Sequence, residues 1–181
     1  MILAVFSDTH GNVDYLETAA AYALNKGSAD VLAHLGDNYD DSKILNQFGK
    51  RVVRVPGIFS PQYQDTGVAN RILEDYGVWS VLFTHTPNRQ SNDLPADLDP
   101  EELVRSHSIN ILLHGHTHEP RIEQIGAVWY INPGHLKHHD KKKNPPSFAI
   151  LDFSDDSVNV KIIGVLDHSE IMSRELSHPS L

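Results

Sequence analysis

The chain has no cysteine, which excludes a disulfide framework and removes thiolate from the available metal ligands. No stretch reaches the ~18 apolar residues that a membrane helix needs. The apolar start, residues 1–6, runs into Asp8 and His10 too soon to serve as the apolar region of a signal peptide. Basic residues are in short supply: 15 Lys and Arg stand against 24 Asp and Glu, a formal net charge of -9. Such a chain presents a negative average field, which disfavours a polyanion such as duplex DNA, and no basic stripe interleaved with aromatic residues offsets it. A small phosphate ester stays compatible, because a bound divalent ion reverses the sign locally. Neither an internal repeat nor a linker interrupts residues 1–181. The expectation is one globular domain, cytoplasmic, with no membrane partner. A homodimer is possible, although no residue pattern demands one.

What is present is histidine, twelve of them, and their positions matter more than their number. Residues 2–6 form an apolar run of the kind buried on both faces of a sheet. A polar turn follows, after which Asn12 can cap a helix to about Lys26, with Val13, Leu16, Ala20, Ala23 and Leu24 on its apolar face and Gly27 as its stop. Residues 31–35 form a second strand, residues 41–48 a short helix, and residues 51–55 a β-branched third strand ending at Pro56-Gly57. Strands are also predicted at residues 78–83, 109–113, 121–125, 128–131, 147–153 and 157–165, with a helix at 100–107. Residues 59–68 and 136–146 look irregular. The pattern predicts an α/β fold in which two packed β-sheets are flanked by helices.

Ligands gather at strand ends in such folds. The first strand ends in Asp8 and His10, the second in Asp37, the fourth in His85, and the fifth in His114, His116 and His118. Asp8 and His10, like His116 and His118, are two residues apart and point to the same side if the backbone stays extended. Carboxylates with imidazoles suit Mn²⁺ foremost, with Fe, Zn²⁺ or Ni²⁺ as alternatives. Asp37 can bridge two ions ~3.5–4 Å apart and hold a water or hydroxide between them.

These motifs, Ser7-Asp8-Thr9-His10-Gly11-Asn12, Leu35-Gly36-Asp37, Thr84-His85, Gly115-His116-Thr117-His118 and Ile131-Asn132-Pro133-Gly134, resemble in identity and order those of the calcineurin-like metallophosphoesterases, and most of all the small YfcE-like phosphodiesterase branch. The resemblance implies a four-layer αββα sandwich. It implies that Asp8, His10 and His118 hold one metal, that Asp37 bridges, and that His85 and His116 belong to a second. Its chemistry is hydrolysis of phosphodiesters or monoesters by a metal-bound hydroxide, with Asp37 and His135 as candidate catalytic residues. His138 and His139 are further candidates for protonating the leaving group, and His34 and His114 read as packed or supporting histidines. The basic run at residues 141–143 reads as solvated surface.

The chain departs from the family after its third strand, where an Asn normally reaches the second metal. Here Ile58 occupies that place, Phe59 stands where some relatives carry a catalytic His, and Ser60 replaces an Asp. One or two ions per chain are therefore expected. Asn38, Gln62, Gln64 and Asp65 are the nearby oxygens that can substitute. The family also includes a metal-poor scaffold subunit of retromer, so the alternative is a weakly active or inactive protein-interaction module.

Overall fold

The structure, a computed structural model, describes residues 1–178. Its first sheet contains β1 (Ile2–Phe6), β2 (Val31–His34), β3 (Arg51–Arg54), β9 (Ser147–Phe153), β10 (Ser157–Gly164) and β11 (Glu170–Ser177), in the order β11-β10-β9-β1-β2-β3. The second contains β4 (Arg71–Tyr76), β5 (Trp79–Thr84), β6 (Ile111–Leu113), β7 (Arg121–Ile125) and β8 (Val128–Asn132), in the order β4-β5-β6-β8-β7. Between the sheets lies a core that includes Leu3, Val5, Leu35, Val81, Phe83, Leu113, Ile131 and Leu151. Alternate residues of the first sheet face outward, so Ala4, Phe6, Leu32 and Phe148 pack with Leu16, Ala20 and Ala23 of α1 (Val13–Asn25). This is why β1 reads as a continuous apolar run: both of its faces are covered. Leu82, Leu112 and Val128 similarly cover the outer face of the second sheet, against Leu103 and Val104 of α2 (Pro100–Arg105). Each fully buried Leu, Val, Ile or Phe contributes about 1.5–3 kcal/mol by leaving water. The expected two-sheet α/β sandwich is the observed one.

Local differences have identifiable causes. Asn12 does not cap α1 with its side chain; its amide donates instead to the carbonyls of Thr9 (2.8 Å) and His10 (3.2 Å), closing the turn before the helix. Val13 lies exposed at the helix start, and Ala19 takes a buried place. The helix expected at 41–48 is a 3₁₀ segment, Tyr39–Phe48. Two strands go unpredicted. β4 carries Glu74 and Asp75 in its middle and is mostly half-exposed, while in β11 only Leu176 is buried. β11 exists through backbone pairing with β10, which leaves almost no apolar period to read.

For the site, strand direction matters most. β1, β2 and β3 are parallel, as are β5, β6 and β8. The carboxyl ends of each trio therefore share one edge of their sheet, where backbone contacts tie neighbouring strand ends within each sheet and one contact joins the two sheets. Asp8 N–H donates to Gly36 O (2.8 Å), Gly115 N–H to His85 O (3.1 Å), and Leu136 N–H to Asp8 O (3.2 Å).

Candidate metal centre

Among the described residues nine non-glycine ones have positive φ, and five of them are Asp8 (53°), His10 (49°), Asp37 (60°), His116 (66°) and His118 (62°). The extended backbone expected at the two Asp-x-His and His-x-His pairs is therefore replaced by left-handed turns. Such conformations cost on the order of 1–3 kcal/mol each and persist only where surrounding bonds impose them. Here those bonds include Gly57 N–H to Asp37 O (3.1 Å) and Thr117 N–H to Gly115 O (2.8 Å). Strain collects at the side chains that converge.

Asp8, His10 and His118 each offer one ligand atom, all within 4.8 Å of one another, and among the described residues no other group of three His, Asp or Glu meets this closely. The protons decide what the group can hold. His118 Nδ1–H donates to Asp140 Oδ1 at 2.7 Å, and His10 Nδ1 meets Asp37 Oδ2 at 2.5 Å. Carboxylates only accept, so in the neutral rings both Nε2 atoms carry lone pairs. Those two atoms face each other at 3.1 Å, with Asp8 Oδ1 3.3 Å from His118 Nε2. Facing lone pairs beside a carboxylate are relieved by a cation, so this donor set fits a divalent ion.

The two carboxylates are held in their charged form. Burial alone would raise the Asp8 carboxyl, but the adjoining His118 ring, the nearby His85 and the Ser7 hydroxyl (2.6 Å) bring it down to about 2. Burial also opposes ionisation of Asp37, and His10 outweighs it, lowering that carboxyl. The Asp8 carboxylate raises His118 against its burial, with Asp140 adding to the rise.

Asp37, His85 and His116 lie alongside. His85 Nδ1–H donates to Leu35 O (2.8 Å), leaving its Nε2 3.3 Å from His116 Nδ1. Burial, with His85 alongside, lowers His116, which favours the neutral ring that can donate a lone pair. Glycine permits the close approach. A Cβ on Gly115 would collide with Ser7 Oγ and Asp8 Oδ2, and one on Gly57 would come within 2.5 Å of Asp37 Cα.

Ile58 is buried, and its carbonyl accepts from Asn92 (2.8 Å). Of the proposed substitute oxygens, Asn38 and Gln62 line a cavity of about 330 Å³ with Asp37 and Phe59. Gln64 instead binds Asn92 O (2.7 Å), and Asp65 holds the amide of Gly67 (2.9 Å). His135 is fully buried, with Nδ1 accepting from Lys137 N–H (3.0 Å) and Nε2 donating to Asn144 O (3.1 Å). Its ring packs 5.4 Å from that of His118. Both nitrogens are thus hydrogen-bonded to the backbone of the 136–146 segment. His138 pairs with Asp14 (2.9 Å) and lies edge-on to Tyr15, and His139 is exposed. His34 is fully buried; its Nδ1 accepts from Gly36 N–H (3.2 Å) and its Nε2–H donates to Thr9 Oγ1 (2.8 Å). His114 is also buried, its Nδ1 3.1 Å from Gly115 O.

The residue that sequence reasoning overlooked is Asp140. It lies in the irregular 136–146 segment, where no strand pattern flags it, yet it holds His118. The same segment clasps the histidine turn: Lys142 donates to Thr117 O (2.9 Å) and Asn144 to His118 O (3.1 Å). The basic run is exposed, as expected of solvated surface, and Lys142 makes its contact from there. Asn132 also supports this turn, donating to Gly115 O (3.0 Å) and Thr117 Oγ1 (2.9 Å).

Known proteins resemble this chain at both levels. The phosphodiesterase YfcE of Escherichia coli K12 is 40% identical over 168 residues, covering 84% of this chain and 88% of its own. A conserved uncharacterized protein of Streptococcus pneumoniae superposes with a TM-score of 0.71 at 20% identity, over 98% and 97% of the two chains. Wild-type Vps29 of Entamoeba histolytica, in complex with zinc, does so with 0.67 at 21% identity, over 98% and 99%. These two likenesses concern the fold alone. Residues 1–156 match the calcineurin-like phosphoesterase superfamily domain, and the chain belongs to that superfamily.

Proposed function

We propose that the chain is a metal-dependent phosphodiesterase, a hydrolase of small phosphodiesters, with monoesters as secondary substrates. The observation that carries this reading is the pair of imidazole lone pairs facing each other at 3.1 Å beside the Asp8 carboxylate, in a chain 40% identical to a phosphodiesterase. In this reading Asp8, His10 and His118 hold one divalent ion, Mn²⁺ foremost, while Asp37 reaches both clusters and His85 and His116 serve the second. When bound, the ions polarise the phosphoryl oxygens and acidify water.

The chain's own residues contribute positioning. Asp140 orients the His118 ring and Leu35 O orients His85, so their Nε2 atoms point inward before substrate arrives. Asp37 holds His10 by the same means and is the carboxylate at which the two halves meet. Hydrolysis forms a bond from water oxygen to phosphorus as the bond to the departing alcohol breaks, and a proton ends on that alcohol. His135 acts in this scheme through His118, as a positioning residue that keeps the 136–146 segment seated.

The test is a chelator-stripped protein titrated with Mn²⁺ while hydrolysis of bis-p-nitrophenyl phosphate is followed, alongside His10→Ala and Asp37→Asn. Metal-dependent turnover in the parent and its loss in both variants is the expected result. A filled metal site that turns over neither this ester nor its monoester analogue would overturn the hydrolase reading.

A further inference from the structure

Phe59 is 83% exposed, and it is the single exposed aromatic residue among those described. Leaving a phenyl ring in water forfeits the gain that burial brings to every other aromatic of the chain. The exposure does not come from a loose loop. The backbone on either side is tied by Gly57 N–H to Asp37 O (3.1 Å), Ser60 N–H to Gly57 O (2.9 Å) and the Asn92 amide to Ile58 O (2.8 Å). Asn92 itself belongs to a segment anchored by the buried Arg71–Asp93 pair (2.9 Å). Phe59 is therefore held at a set position relative to Asp37.

Its surroundings define what can cover it. Phe59 lines the cavity of about 330 Å³ with Asp37, Tyr39, Asp40, Asp41 and Gln62. It makes no contact with another ring, whereas Tyr39 is already met by the Arg54 guanidinium at 5.1 Å. A phenyl ring offers only its face and edge. Around it the carboxylates supply acceptors: Asp40 also meets Lys43 (3.0 Å), and Asp41 takes the amide of Gly11 (2.7 Å). A second anionic group is repelled here. A flat, uncharged ring bearing N–H donors matches both the aromatic face and the acceptors.

We propose that Phe59 is the platform on which the base of a nucleoside ester stacks while its phosphate lies at the cluster containing Asp37, which makes nucleoside phosphodiesters the preferred substrates. The inference rests on the hydrolase reading for its substrate role, but the stacking contact is measurable without turnover.

The experiment compares binding of the non-hydrolysable phosphonate analogues of adenosine 5′-monophosphate and ribose 5-phosphate to the Mn²⁺-loaded chain by calorimetry. The two ligands share sugar and phosphonate and differ in the base. Base–aromatic stacking predicts roughly tenfold tighter binding of the adenosine ligand. Phe59→Trp should preserve that ratio, Phe59→Leu should reduce it, and Phe59→Ala should bring it close to one, with thermal melts confirming that each variant folds. Equal affinity for the two ligands in the parent, no binding of either, or an unchanged ratio in Phe59→Ala would each overturn the platform. Failure to hydrolyse bis-p-nitrophenyl phosphate bears on the hydrolase reading alone, and a base-dependent affinity in a chain without turnover would still support the stacking contact.

Discussion

The two halves of the candidate metal centre draw on the same kinds of side chain and differ in how completely the fold supplies them. Around His118 both ring nitrogens and the backbone carbonyl have counterparts: Asp8 and His10 face its Nε2, Asp140 holds its Nδ1, and Asn144 binds its backbone carbonyl. Around His85 and His116 the third strand should add a further oxygen, and Ile58 provides an aliphatic side chain turned into the interior. The first half takes its side chains from both sheets and is clasped by the 136–146 segment. The second depends on the loops after β2 and β3, where Asn38 and Gln62 bring amide groups to the cavity beside Asp37. Completeness therefore follows the loops rather than the strands. The first half is expected to bind its ion more tightly.

The largest effect should come from breaking the complete half. His118→Ala is expected to lower metal-dependent turnover by more than the roughly 10–100-fold typical of losing an outer partner. Metal content after dialysis checks the cause, since retention of both ions in this variant would contradict the ligand assignment.

Next in size is an acid effect shared by both halves. His34 braces Thr9 on one side and Gly36 on the other, and burial lowers its pKa to about 4 from an ordinary 6.5. The unfolded chain binds this proton more readily, so stability is full above pH 6.5 and declines as pH falls towards 4. The loss attributable to this residue is on the order of 3 kcal/mol. Urea unfolding at several pH values should show a shallower decline in His34→Gln than in the parent. Parallel curves would mean that His34 is not the group responsible.

Asp140→Ala sharpens the comparison further. It should weaken the first ion roughly 10–100-fold and leave the second unaltered, a difference that metal titration resolves. Equal weakening of both ions would show that the halves are not independently supported. The smallest effect has the opposite sign: Ile58→Asn should reduce the Mn²⁺ needed for half-maximal turnover about tenfold, equivalent to roughly 1.4 kcal/mol. No change there would place the missing oxygen on another residue.

The sandwich was legible because the strands that build it are apolar on both faces or alternate cleanly, as in β1 and β10. The candidate ligands were legible for a related reason. Asp8, Asp37, His85 and His116 interrupt or follow apolar runs at strand ends, where polar side chains have no packing role to fill. β11 was illegible because its pairing with β10 is a backbone property, and exposed side chains leave no periodic trace.

Chemistry of the donor set and its distribution over strand ends are thus properties of the sequence by itself, since residue type and the end of an apolar run are both local. Three things were decided only by the tertiary structure. Left-handed turns at five of the candidate ligands require bonds from distant loops to impose them. Asp140 meets His118 across 22 residues of chain, a pairing that no local pattern encodes. And Phe59 stays in water because the Asp37 carbonyl and the Asn92 side-chain amide hold its loop, so that burial, the usual fate of a phenyl ring, is overruled by geometry.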